Sequence, residues 1–180
     1  MGDRTAEART VEAPAMQQHS LRVVFAGPDF CVSSYANVIF SCENIEPTIA
    51  HIDRLHSTIV EVARREKRGV GFMTVLRPDA KPASDEVRHH IKRITKAFAP
   101  HVRAMGHVVE GDGFMAAAKR AGISLLMNMA KFSFPLKVFP DMSAGLRWMS
   151  FKADNSWSPD FQDDIVGLVS ALRQKHFKAP

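Results

Sequence analysis

Residues 102–150, VRAMGHVVEGDGFMAAAKRAGISLLMNMAKFSFPLKVFPDMSAGLRWMS, decide the fold class. A short β-branched strand at 107–110 runs into a glycine turn, and a helix over 115–131 follows it. A second strand at 134–139 leads into a short helix that continues through Trp148. Two successive strand–helix steps are typical of a parallel, mostly buried sheet flanked by helices, so the sequence predicts an α/β protein.

The rest of the chain extends this pattern. Strands at 30–35 and 38–42 predict an early hairpin, and the apolar run Val70–Leu76 predicts a central strand buried on both faces. Helices are predicted at 46–67 and 84–99, where apolar side chains recur every three or four residues. We therefore expect a mixed sheet of four to five strands with an early hairpin and packed helices.

The predicted core occupies the apolar faces of these elements. Its members are Ile52, Leu55, Ile59, Phe72, Val75, Ile91, Ile94, Val108, Leu125 and Val138.

The 180 residues are expected to form one domain with a tail at each end. Residues 1–18 are polar, lack an apolar stripe and predict a disordered tail. Residues 19–150 form the predicted α/β domain. Residues 151–180 are interpreted as a linker followed by an amphipathic helix.

Composition argues for an ordinary globular protein. Hydrophobic residues make up 46% and charged residues 24% of the chain, and the net charge of +5 is interpreted as solvated helix faces rather than a nucleic-acid surface. The N-terminus has no secretory pattern, and no apolar run is long enough for a transmembrane segment. We expect a cytoplasmic protein.

Motifs for catalysis, metals or cofactors are weak. His51 and His56 are five residues apart and His89 and His90 are adjacent, so neither pair has the spacing that directs two imidazoles at one metal. No metal or cofactor is predicted, and the chain is not expected to be an enzyme. Among the carboxylates, Glu110 is the one expected to have a raised pKa, because it ends a buried strand.

The turn Gly111-Asp112-Gly113 superficially matches a dinucleotide fingerprint. Its late position in the sheet and the carboxylate of Asp112 disfavour a pyrophosphate, so the glycines are interpreted as turn residues with positive φ.

Cys31 and Cys42 provide no disulfide framework. Cys42 is predicted to be a small buried side chain, and a disulfide across the hairpin is the less favoured alternative.

The order of elements, together with Val138-Phe139, Ala144 and Trp148 near the end of the domain, resembles the STAS-like proteins, which include bacterial anti-sigma-factor antagonists. The resemblance covers roughly residues 20–150. It implies a regulatory role through protein contacts, and it makes Ser84 a candidate phosphoacceptor. The chain departs from the family pattern here, because the expected glycine is missing and Asp85 and Glu86 follow Ser84.

The helix at 115–131 is apolar around more than one face, which indicates either core filling or a covered interface. Our hypothesis is a non-enzymatic regulatory or scaffolding module whose partner is a second copy, as a homodimer, or an unidentified regulator. The alternative is a small-molecule or lipid-binding domain with an apolar cavity. The candidate interface residues are Met115, Leu125, Leu126, Met129, Phe161, Ile165, Leu168 and Leu172.

Overall fold

The computed structural model describes residues 21–43, 46–77, 81–130, 132–153 and 159–176, without the side chains of 126–130, 159–161 and 176. The predicted tail at 1–18 lies outside these residues. The strands are β1 (Arg22–Ala26), β2 (Phe30–Tyr35), β3 (Val38–Glu43), β4 (Val70–Leu76), β5 (Val102–Val109) and β6 (Leu136–Phe139). The helices are α1 (Ile49–Arg65), α2 (Asp85–Phe98), α3 (Gly113–Ala130), α4 (Met142–Lys152) and α5 (Pro159–His176), with a short 3-10 turn after α2.

The six strands form one mixed sheet in the order β1-β2-β3-β4-β5-β6. The first three strands are antiparallel, and β3 to β6 run parallel. The α/β class, the early hairpin and the interior position of β4 are confirmed. The expected count of four to five strands is wrong, because residues 22–26 pair with β2 as a further strand at the edge of the sheet.

Local capping explains where the first two helices begin. Thr48 caps α1 by accepting a hydrogen bond from the amide of His51, so the helix begins after Pro47 rather than at residue 46 as predicted. Ser84 caps α2, and its hydroxyl oxygen accepts a hydrogen bond from the amide of Val87 at 3.4 Å.

Helices cover both faces of the sheet. Since parallel crossovers are right-handed and the strands follow in sequence order, α1, α2 and α3 share one face. The other face carries α4 and α5. Its core includes Phe40, Met73, Leu146, Met149 and Ile165.

Glycines bring α4 close to this second face. A Cβ on Gly145 would lie 2.6 Å from Cε of Met73, and one on Gly71 would lie 2.6 Å from Sδ of Met149. Each glycine therefore leaves room for a methionine side chain of the other element, which allows α4 to pack closely on the sheet.

The predicted core is mostly correct. The buried members are Ile52, Leu55, Ile59, Phe72, Val75 and Val108, whereas Ile91, Ile94 and Val138 are only partly buried. Leu125 is wrong, since 63% of it is exposed on α3.

Leu55 and Ile91 allow a buried side chain to be compared with a partly buried one. We expect Leu55→Ala to cost about 2–5 kcal/mol of unfolding free energy, because the side chain is buried between α1 and the sheet. Ile91→Ala on α2 should cost less, because part of that side chain is already in contact with water. Urea denaturation of both variants measures the difference, and an equal or larger loss for Ile91→Ala would contradict the expectation.

Candidate functional site

The two charged side chains of α3 turn toward the body of the protein. Lys119 Nζ donates to the carbonyl oxygen of Arg77 at 2.9 Å. Arg120 donates to the carbonyl oxygens of Val109 at 2.9 Å and Gly111 at 3.0 Å. These carbonyls lie at or beyond the carboxyl ends of β4 and β5, so both charged side chains of the helix bind backbone at the strand ends.

Apolar side chains of α3 face the solvent instead. Phe114 is 83%, Met115 72% and Leu125 63% exposed. Within residues 113–125, whose side chains are described, Ala116 is the only buried residue. Over residues 113–125, the helix is thus inverted relative to an ordinary amphipathic helix, which buries its apolar stripe and exposes its charges.

Five of the exposed residues form a continuous stripe. Phe114, Ala118, Ala121 and Leu125 follow the spacing i, i+4, i+7 and i+11, which places them along one side of a helix, and Gly122 adjoins them. We call these five residues the α3 stripe. Its ends are large and its centre is small, and a Cβ built on Gly122 meets nothing within 4 Å.

The predicted interface residues whose side chains the structure describes do not form one surface. Met115 and Leu125 are exposed on α3. On α5, Ile165 and Leu172 are buried in the protein's own core and Leu168 is 48% exposed. The side chains of Leu126, Met129 and Phe161 lie outside the described residues. The C-terminal helix therefore covers the sheet within its own chain, an alternative that the sequence alone leaves open.

A polar row crosses the middle of the sheet on the α3 face. Ser41, Thr74 and His107 are register partners on three neighbouring strands, and Ser41 Oγ donates to Thr74 Oγ1 at 3.2 Å. Burial lowers the pKa of His107 to about 4, so its imidazole is neutral. Its Nδ1 is buried and has no hydrogen-bond partner among the described residues.

Glu43 lies two residues beyond Ser41, at the end of β3. Only 7% of it is exposed, and this burial raises the pKa of its carboxyl group to about 7, while the positive charge of Lys119 acts in the opposite direction. The sequence points instead to Glu110, which pairs with Arg173 of α5 at 2.7 Å. The burial of Glu43 cannot be predicted from the sequence, because the residues around a glutamate at the end of a strand do not indicate whether a helix will cover it.

A shallow groove opens between the starts of α1 and α2, with a volume of about 540 Å³. Its lining includes Ser84 together with Glu46 and Glu86. The two carboxylates oppose an added phosphate by like-charge repulsion, and the Ser84 hydroxyl already caps α2. Phosphorylation of Ser84 remains a prediction.

Three histidines on α1 and α2 contact neighbouring groups. His90 Nε2 lies 2.6 Å from Asp53 Oδ1, and the ring of His51 stacks on Phe30. His89 Nδ1 lies 2.7 Å from the carbonyl oxygen of Asp85. In the described part of the chain, no three His, Cys, Asp or Glu side chains gather in a way that could hold a metal ion.

The glycine turn before α3 has the backbone that the sequence predicts. Gly111 and Gly113 have φ values of 96° and 86°. These values explain the glycines by conformation, and Arg120 binds the carbonyl oxygen of Gly111.

No family model matches the chain, and no curated protein matches it either. Among the described helices, none is both long enough and apolar enough to cross a membrane.

Proposed function

We propose that this protein is a non-enzymatic regulatory or scaffolding module of STAS-like type, and that its α3 stripe binds a second copy of the chain. The inverted orientation of α3 supports the proposal. Solvent exposure of Phe114 and Leu125 is unfavourable in an isolated monomer, and contiguous exposed apolar patches usually belong to interfaces.

The shape of the stripe favours an antiparallel pair around a two-fold axis. A two-fold axis near residues 119–120 sets Phe114 of one copy against Leu125 of the other. The small residues Ala118, Ala121 and Gly122 then meet in the middle, where they allow the two helices to approach closely. Each large side chain contacts the other large side chain rather than its own equivalent.

Charge also favours a second copy over a lipid surface. Anionic membranes attract helices with exposed cations around an apolar face. The cations of α3, Lys119 and Arg120, bind backbone carbonyls at the strand ends instead. A stripe without charge meets its own copy without electrostatic repulsion.

Sedimentation of the full chain tests the proposal. We expect a dimer whose dissociation constant changes little with salt, and we expect Ala118→Glu to weaken it by about 100-fold or more, because each copy would bury an unpaired carboxylate. The matched control is Ala97→Glu, which adds the same charge to an exposed alanine of α2. A wild-type monomer at its highest soluble concentration, or equal effects of the two variants, would refute self-association through α3.

A second pair of variants tests the antiparallel arrangement. Residue 118 of one copy is expected to face residue 121 of the other, so Ala118→Glu combined with Ala121→Lys should restore much of the lost affinity. Ala118→Glu combined with Ala97→Lys should not. Binding of liposomes or of an apolar small molecule by a strictly monomeric protein would favour the lipid-binding alternative.

A further inference from the structure

The two cysteines lie opposite each other on the β2–β3 hairpin. Cys31 and Cys42 are direct register partners, and both side chains are buried, at 0% and 1% exposure. Directly opposed residues in an antiparallel pair have Cα atoms about 4.5–5.5 Å apart, which falls within the range that a disulfide bridges. Both thiols are free in this structure.

Helix α5 places a cation beside the thiols. Arg173 pairs with Glu110 through Nη1, while its buried Nε has no hydrogen-bond partner among the described residues. Its positive charge is a minor influence that favours the thiolate form of both cysteines. Ile165, Val169 and Leu172 of the same helix share a buried core with both cysteines, so α5 covers the pair.

The environments of the two thiols differ. A hydrogen bond from Cys42 is the main influence that lowers the pKa of Cys31. The same hydrogen bond, together with burial, raises the pKa of Cys42. Cys31 therefore forms the thiolate more readily, and Cys42 keeps its proton and can donate it. This is the arrangement of a dithiol with an attacking cysteine and a resolving cysteine.

We propose that Cys31 and Cys42 form a redox-active dithiol site beneath α5, which a small-molecule disulfide of the glutathione class oxidises to a reversible cross-strand disulfide. The Cys31 thiolate attacks one sulfur of the small disulfide, forms a mixed disulfide and releases one small thiolate. Cys42 gives its proton to that thiolate and attacks Cys31, which releases the second small thiolate, and the latter takes up the proton that Cys31 had lost. The protein loses two electrons and two protons, and one small disulfide becomes two small thiols.

Because both thiols are buried, this reaction depends on a movement of α5. The small disulfide reaches Cys31 only when α5 moves away from β2 and β3, so the Arg173–Glu110 pair helps to keep the site closed. A disulfide that joins adjacent strands leaves the hairpin register intact. This site is independent of the α3 stripe, so either proposal can fail without the other.

Incubation of the reduced, folded full chain with oxidised glutathione tests the site. We expect a product lighter by two hydrogens that migrates as a single chain, with the lost hydrogens located in the tryptic peptide 23–54, which contains both cysteines. Excess reduced glutathione should return the dithiol. If both thiols stay free in the native protein under conditions that oxidise the unfolded chain, the proposal is wrong, and the same holds if the bond forms but cannot be reversed.

Single cysteine variants test the order of attack. Cys42→Ala should stop at the mixed disulfide on Cys31, and Cys31→Ala should react at least about tenfold more slowly at Cys42. Alanine keeps each buried position small and apolar, and circular dichroism checks that both variants fold. Equal rates for the two variants would overturn the assigned roles.

Discussion

Replacing Glu43 with glutamine is expected to stabilise the protein at pH 8 by about 3 kcal/mol and to leave its stability at pH 4.5 nearly unchanged. Burial raises the pKa of this carboxyl group from 4.5 to about 7, and a pKa difference of one corresponds to about 1.4 kcal/mol. A carboxyl group with a raised pKa makes its full contribution to stability below pH 4.5. That contribution is lost as the pH rises through 7, because the folded protein must then bury a charge.

Urea denaturation of the wild type and of Glu43→Gln at both pH values measures this effect. The matched control is Glu61→Gln, since Glu61 is an exposed carboxylate that pairs with Arg22 on the surface, and surface pairs contribute little. An equal change at pH 4.5 and pH 8 would show that the glutamine acts through shape rather than charge.

In the Glu43→Gln variant, His107 should make the unfolding free energy depend on pH in the opposite direction to Glu43. Its pKa is lowered from 6.5 to about 4, so its contribution is complete above pH 6.5 and is lost as the pH falls toward 4. In the wild type, Glu43 and His107 act in opposite directions between pH 4.5 and 6.5, so their contributions to the unfolding free energy partly cancel. Glu43→Gln should therefore lose stability on acidification below pH 6.5, while His107→Gln should gain it.

Glu43 also connects the interior of the sheet to the proposed interface. The nearby cation is Lys119 on α3, the helix whose opposite side carries the stripe. Ionised Glu43 attracts Lys119 and so favours the inward orientation of the α3 charges. The attraction to Lys119 thus offsets part of the cost of burying the Glu43 carboxylate.

Patterns of short range are predictable from the sequence. The β4 strand is an uninterrupted apolar run, and the Ser84 cap is followed by two acidic residues, so neighbouring residues alone specify both features. The register that places Cys31 opposite Cys42 can also be predicted from the sequence. Counting outward from Tyr35 and Val38, on either side of a two-residue turn, leads directly to it.

Which side of α3 faces the protein is not predictable in the same way. A helix that is apolar around more than one face has no clear pattern to indicate which side faces inward. The orientation depends on the carbonyl oxygens of Arg77 and Val109, which lie 42 and 11 residues from their donors, Lys119 and Arg120. Such distant acceptors leave no mark in the local sequence, which is why the prediction of Leu125 in the core is wrong.

Asn37 should be the most sensitive polar residue of the fold, with Asn37→Ala costing about 2–4 kcal/mol. The residue is fully buried in the turn between β2 and β3, and its side-chain amide donates to the carbonyl oxygens of Gly69 at 2.8 Å and Ala153 at 3.0 Å. One side chain therefore joins the hairpin, the entry to β4 and the end of α4. Alanine would leave both carbonyls without this donor.

The neighbouring turn position offers a control with the opposite expectation. Ala36 has a φ of 48°, a left-handed conformation that glycine adopts without strain. Ala36→Gly should therefore change the unfolding free energy by less than about 1 kcal/mol, because relief of strain offsets the greater flexibility of the unfolded chain. Urea denaturation compares the two variants. A loss for Asn37→Ala no greater than that for Ala36→Gly would mean that water replaces the asparagine, and that the hairpin is held to α4 by apolar packing alone.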